Sequence, residues 1–170
     1  MVLAKVLGFD FVDADVLIQK KHGKLLRELI AEYGDDGFLQ IENDVNKEID
    51  LKNTVIATGG SVVYCDEAMQ HYVKNDIVVY IELPYGVIAS RLENVKRRGV
   101  VLKDGQTLKD LYNERILLYE KYAQITVKAE GLSVEELMDT IAEKVLAYEK
   151  THSVSYTHLR SHETSQDLVC

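Results

Sequence analysis

The sequence predicts an α/β fold with a parallel sheet and helices on both faces, and three observations carry that reading. Two short runs rich in β-branched residues, 54–58 and 77–83, have the length and composition of strands buried on both faces. Stretches with helical apolar spacing lie between such runs, and strands alternating with helices require βαβ crossovers. The run Thr54-Val55-Ile56-Ala57-Thr58 stops abruptly at Gly59-Gly60-Ser61. Two glycines at a strand's carboxyl end let the backbone turn sharply and let a ligand come close, and that end is where open α/β sheets bind ligands. A plain strand-to-loop turn is the other reading of Gly-Gly taken alone.

Taken in order, residues 1–7 read as two helical turns, with Val2, Leu3, Val6 and Leu7 at helical spacing and Gly8 as the C-cap. Phe9-Asp10-Phe11-Val12-Asp13-Ala14-Asp15 reads as a strand ending in two acids. Period-two geometry places Asp13 and Asp15 on one side, where paired carboxylates can hold a metal or accept a proton from a substrate hydroxyl. Asp15 ahead of Val16-Leu17-Ile18 also reads as a helix N-cap. Residues 16–33 are helical in pattern with a break around His22-Gly23, and His22 sits among lysines as a solvated side chain. Asp35-Asp36-Gly37 reads as a turn. Residues 38–49 are helical, with Phe38, Ile41, Val45 and Ile49 on one face.

After the 54–58 strand come a helix over 66–75, with Cys65 beside it as a small apolar residue, and the second strand, 77–83. Pro84 suits the turn into a helix over 86–95. Residues 96–106 are basic, glycine-punctuated and of poor helical period. A cationic loop between two helices of an acidic protein reads either as solvated charge or as the anion-binding lid of a phosphoryl-transfer enzyme. Helix returns at 108–122, a strand follows at 125–129, and a helix over 133–150 closes the order. Ser133 and Glu136 form its capping box, and Val134, Leu137, Ile141, Val145 and Leu146 its apolar stripe.

The whole chain, 170 residues, has the length of one domain. Its net charge of −8 argues against a nucleic-acid surface and leaves room only for a local basic pocket. Cys65 and Cys170 stand far apart, in no metal-ligand spacing and with no disulfide framework. No apolar run reaches the length of a membrane span, since Glu82 interrupts the longest, and no signal-peptide pattern opens the chain. Together these features predict a protein of the reducing cytoplasm, without nucleic-acid or membrane partners. From Thr151 the composition breaks: residues 151–170 hold three of the five histidines, seven Ser or Thr and no amphipathic period. A metal-binding His tract is one reading. The stretch also resembles the out-of-frame translation of a sequencing-library adapter, so the fold is expected within 1–150 and the tail 151–170 is expected to be disordered.

Five stretches now carry a family resemblance: Phe11-Val12-Asp13-Ala14-Asp15, Gly37-Phe38 with Glu42, Ala57-Thr58-Gly59-Gly60, Arg98 in the basic loop, and Glu114-Arg115-Ile116-Leu117-Leu118-Tyr119. In order and spacing they resemble shikimate kinases, over residues 1 to about 150. The resemblance implies a three-layer P-loop kinase fold of the nucleoside-monophosphate-kinase type, a five-stranded parallel sheet of order 2-3-1-4-5 and a mobile lid. It implies a monomer that transfers the γ-phosphoryl group of ATP, with Mg²⁺, to the 3-hydroxyl of shikimate, a step of aromatic amino acid and chorismate biosynthesis. By resemblance, Asp15 binds the substrate diol and orients or deprotonates the attacking hydroxyl. Asp13 lies in the outer shell of the magnesium. Gly60 offers its backbone N–H to the substrate, with Gly59 supporting the turn. Arg115 pairs with the substrate carboxylate, Arg98 stabilises charge on the transferring phosphoryl group, and Arg91 lies over the adenine.

Three departures from the family pattern stand out. The phosphate loop, G-x-x-x-x-G-K-[ST], belongs about two helical turns before Leu3, together with the first strand, and no stretch of the sequence has that pattern. The expectation is therefore a kinase truncated at its N-terminus and inactive as it stands, whose neighbouring strands lack a ladder partner. Leu39 stands where the family has an arginine that grips the substrate carboxylate together with the counterpart of Arg115. A hydrogen bond to a charged group contributes roughly 1.5–3 kcal/mol, so either shikimate binds weakly or the substrate lacks that carboxylate. Ser61 replaces a usual third glycine, a milder change. Three functions stay open on these residues: shikimate kinase, a P-loop kinase for another small hydroxyl metabolite, and a non-catalytic remnant.

Overall fold

The computed structural model describes residues 1–93 and 105–163. Its elements run α1 (Val2–Leu7), β1 (Asp10–Asp13), α2 (Ala14–His22), α3 (Leu26–Asn46), β2 (Thr54–Ala57), α4 (Asp66–Asn75), β3 (Val79–Glu82), α5 (Tyr85–Glu93), α6 (Leu108–Tyr122), β4 (Ile125–Lys128) and α7 (Val134–Glu163). A single 3₁₀ turn, Val62–Tyr64, follows the Gly59-Gly60-Ser61 segment. The four strands form two parallel pairs, β1 with β2 and β3 with β4. These are the outer pairs of the order 2-3-1-4-5 with its first strand left out, so the topology agrees with the expected α/β kinase sheet.

Helix ends follow local chemistry. Gly8 and Gly23 close α1 and α2 in the left-handed region, with φ of 70° and 64°. Residues 26–46 hold two helical stretches joined at a kink, and the non-helical residue between them is Gly34, with φ 69° and ψ −179°. The turn expected at Asp35-Asp36-Gly37 thus lies one residue earlier and is a kink, because Gly34 adopts the positive φ there and the acids stay helical. At α7 the capping box forms as expected: Glu136 N–H donates to Ser133 Oγ at 3.2 Å and Ser133 N–H to Glu136 Oε2 at 2.8 Å. The helix runs through Glu163, thirteen residues beyond Lys150.

Three apolar clusters hold the elements together. Ile18 and Leu29 join Phe38 and Val45 between α2 and α3. Val62, Val63, Met69, Tyr72 and Tyr122 pack the 3₁₀ turn between α4 and α6. Ile125, Val127, Ile141 and Val145 seat α7 on the β3–β4 pair, with Leu3 of α1 against them. Because α1 also touches β1 and β2, it bridges the two strand pairs. The expected α7 stripe needs a correction: Ile141 and Val145 are buried, whereas Val134 and Leu146 are exposed. The strands are also wetter than expected: β1, β2 and β3 contain no buried residue, and Ile81 is 43% exposed. A two-stranded pair has open edges, so water reaches flanks that a wider sheet would shield.

A polar staple ties α3 to α4. Asn43 accepts from the Ala68 N–H and donates to Glu67, while Asn46 accepts from the Tyr72 hydroxyl at 2.8 Å and donates to the Glu42 carbonyl at 2.7 Å. Asn46 is 1% exposed, so its satisfied amide fixes one register between the two helices. That register carries the next residue along the same face, Glu42, to the end of β2.

Candidate acceptor-binding site at the end of β2

The Gly59-Gly60-Ser61 segment leaves the carboxyl end of β2, and side chains from three helices meet it. A Cβ placed on Gly59 would lie 2.9 Å from Glu42 Oε1 and 3.2 Å from Asp15 Oδ1. One placed on Gly60 would lie 3.1 Å from the Tyr119 hydroxyl and 3.2 Å from Arg115 Nη1. Side chains crowd both glycines, the close approach that a double glycine permits. Tyr119 donates to the Gly60 carbonyl at 2.9 Å. Arg115 and Tyr119 are i and i+4 on α6 and therefore share a face. The turn beyond is held by Val62 N–H to Gly59 O at 3.3 Å and Tyr64 N–H to Ser61 O at 2.9 Å.

Asp15 stands in the first turn of α2 rather than at a strand end. The helix begins at Ala14, and Asp13 is its N-cap, accepting from the Val16 N–H at 3.2 Å. Capping therefore falls to Asp13, not Asp15, and the period-two relation between the two acids lapses where the strand stops at Asp13. Asp15 is released for another task. Burial, and then the charge of Asp13, push its carboxyl above the usual range.

Glu42 is the deepest ionisable group of the site, 1% exposed. Burial pushes its carboxyl up and Asp15 adds to that, while a hydrogen bond with Ser61 and the charge of Arg115 pull the other way. Its Oε2 is sealed from solvent without a hydrogen-bond partner, and so is Nε of Arg115. The Arg115 guanidinium lies over the Tyr64 ring, 5.5 Å from its centroid. Tyr119 is stacked on Tyr80, with ring centroids 5.1 Å apart. One cation, two carboxylates and a small hydroxyl thus surround a double-glycine turn. Such a set can bind a carboxylate through Arg115 and take hydrogen bonds from hydroxyls through Asp15.

The predicted residues divide cleanly. Asp15, Gly59, Gly60 and Arg115 come together. Asp13 adjoins Asp15 but spends one oxygen on the helix cap. Arg91 is exposed in the last turn of α5, and Arg98 lies outside the described residues. Leu39 is half-buried against the Val62–Val63 cluster, and its carbonyl accepts from the Cys65 thiol at 3.4 Å. The role of Glu42 escaped sequence reasoning. Its signal was a carboxylate four residues after Phe38 on an apolar helix face. Tyr119 was visible as the last residue of the Glu114–Tyr119 stretch, at i+4 from Arg115, without a role assigned to it, and nothing local marked Tyr64.

No group of three or more His, Cys, Asp or Glu placed to hold a metal ion occurs among the described residues. No helix among them is long and apolar enough to cross a membrane. The side chains around Gly59-Gly60 have the chemistry to meet a ligand with hydroxyl and carboxylate groups. They do not by themselves build a nucleotide-phosphate cradle or a directly ligated metal.

The chain is similar to known proteins of one family. A family model described as shikimate kinase matches residues 1–146. The shikimate kinase of Thermodesulfovibrio yellowstonii is 37% identical over 148 residues, covering 85% of this chain and 83% of that protein. A Bacillus anthracis shikimate kinase is 33% identical over 144 residues, covering 84% and 87%. Among solved structures, shikimate kinase from Acinetobacter baumannii in complex with shikimate superposes with a TM-score of 0.77 at 28% identity, over 86% of this chain and 84% of that one. Shikimate kinase from Aquifex aeolicus gives 0.73, also at 28% identity, over 86% and 87%.

Proposed function

We propose, from the premise that the chain belongs to the shikimate kinase family, that it is a phosphotransferase whose site binds shikimate for ATP-dependent phosphorylation of the 3-hydroxyl. The observation that carries the reading is the meeting of Asp15 and Arg115 across Gly59-Gly60, a base for a hydroxyl on one side and a cation for a carboxylate on the other. Arg115 anchors the substrate carboxylate as a planar two-pronged donor. Asp15 orients the 3-hydroxyl and takes its proton as the oxygen attacks phosphorus. Its raised pKa suits that task, because a base closer to neutrality holds the transferred proton better. Gly60 presents its backbone N–H to the substrate, and Gly59 leaves room for both carboxylates.

ATP supplies the phosphoryl group in this reading, and its Mg²⁺ would meet the chain only through water at Asp13. These cofactors, the placement of Arg91 at the adenine, the role of Arg98 on the transferring group, and a monomeric cytoplasmic enzyme rest on the family alone. A second reading, a kinase of the same fold for another small hydroxyl compound, is favoured by Leu39, which packs its side chain against the apolar cluster and offers no second cation to a carboxylate.

The test uses the chain extended at its N-terminus by a strand and a G-x-x-x-x-G-K-[ST] loop and ended at Lys150. ADP release is followed with shikimate, and the product is identified by ³¹P NMR. Shikimate 3-phosphate is expected. ATP turnover that ignores shikimate but accepts another hydroxyl compound supports the second reading instead.

A further inference from the structure

We propose that Tyr64 is a positioning residue for Arg115, its ring setting the plane of the guanidinium that receives the ligand's carboxylate; the proposal rests on the reading of the site given above. The guanidinium carbon of Arg115 lies 5.5 Å from the Tyr64 ring centroid, within the range where a ring face attracts a cation. The Tyr64 hydroxyl also engages Arg115 and the neighbouring Glu114. Among the described residues no carboxylate forms an ion pair with Arg115: its Nε is buried without a hydrogen-bond partner, and so is Oε2 of Glu42. The Tyr64 ring face is the cation–π contact of the guanidinium, and the Tyr119 hydroxyl also interacts with Arg115.

Tyr64 is itself firmly based. It ends the 3₁₀ turn whose first two residues, Val62 and Val63, are each 4% exposed in the core. The same turn begins on the Gly59 carbonyl. One short segment therefore carries both the double glycine and the seat of the arginine that faces it, and this fixes the distance between carboxylate anchor and hydroxyl base.

The experiment titrates the full chain calorimetrically with shikimate and with its methyl ester, which lacks the charge. The unmodified chain is expected to prefer the acid by about tenfold, in the range of one hydrogen bond to a charged group. Tyr64→Leu should cut affinity for the acid about fivefold and leave the ester unchanged, and Tyr64→Phe, which keeps the ring, should stay within about twofold for both. An unchanged acid-to-ester ratio in Tyr64→Leu, or equal loss for both ligands, overturns the proposal. If the unmodified chain shows no preference for the acid, Arg115 is not the carboxylate anchor, and the functional reading fails together with this one. A measurement needing no variant guards against misfolding of Tyr64→Leu. The Arg115 Nε–H signal in ¹⁵N NMR should carry an upfield ring-current shift and move with the acid but not with the ester; an ordinary arginine shift overturns the seat.

Discussion

Glu42 shows how one side chain can couple stability to pH in this site. A carboxyl whose folded pKa is raised above its unfolded value of 4.5 favours folding in acid, and that contribution is lost as pH rises through the window above 4.5. The chain should therefore lose stability through this group as pH rises above 4.5. Glu42→Gln keeps the shape and removes the titration. The difference in melting temperature between pH 5 and pH 7 should shrink in the variant, by about 2–4 °C if the effect is near 1 kcal/mol; an unchanged difference in a thermal melt would mean that the carboxyl titrates normally. Asp15 is its counterpart in the proposed reaction, as general base. In the extended chain, Asp15→Asn should lower kcat by roughly 10²–10⁴ if it removes a general base, with the fold intact by circular dichroism. Asp15 was legible in the sequence because two acids followed a strand-like run. Glu42 was legible only as a letter in a motif, since a lone acid inside a helix gives no sign of its burial. Tyr64 was not legible, because the ring meets Arg115 across 51 residues of chain and only the packed turn brings them together.

At the scale of elements, the double glycine and the helix caps make separate predictions. Gly60→Ala places a methyl group 3.1 Å from the Tyr119 hydroxyl and 3.2 Å from Arg115 Nη1. It should raise the KM for shikimate several-fold in the extended chain while leaving the KM for ATP within about twofold, as steady-state kinetics would show. Gly59→Ala meets Glu42 Oε1 at 2.9 Å and should cost stability as well, because the buried carboxylate has nowhere to retreat. Removing the cap at α7 by Ser133→Ala should cost about 1 kcal/mol, read as a drop of about 2–4 °C in a thermal melt. Helix limits were largely legible: α4 and α6 match their expected ranges residue for residue, and Gly8 and Ser133–Glu136 mark the end of α1 and the start of α7 by known cap chemistry. The Gly34 kink was displaced by one residue, since any of several small or acidic residues could have made that turn. Strands came out shorter than their apolar runs because pairing, not hydrophobicity, sets their limits.

For the whole molecule, the split sheet is the dominant feature. β2 and β3 each have one edge with no strand against it among the described residues. Their edge amides should show low protection in hydrogen exchange, while those inside α4 are well protected. Extension of the chain by a first strand should raise protection at those edges at least about tenfold if the strand fills the place that the order 2-3-1-4-5 leaves between them. The layer order was legible from alternating patterns and the family resemblance together. The wetness of the strands was not, because composition alone cannot tell a two-strand pair from a wide sheet. The central proposal is functional: that Asp15, Gly60 and Arg115 form an acceptor site for shikimate in which Leu39 leaves one carboxylate contact unmade. Its most direct test is ADP release by the extended chain with shikimate, with and without Leu39→Arg. The account predicts turnover in both, with the arginine lowering the KM by tenfold or more, as a restored hydrogen bond to a charged group of about 1.5–3 kcal/mol requires. ATP turnover that ignores shikimate even with the arginine in place would contradict it.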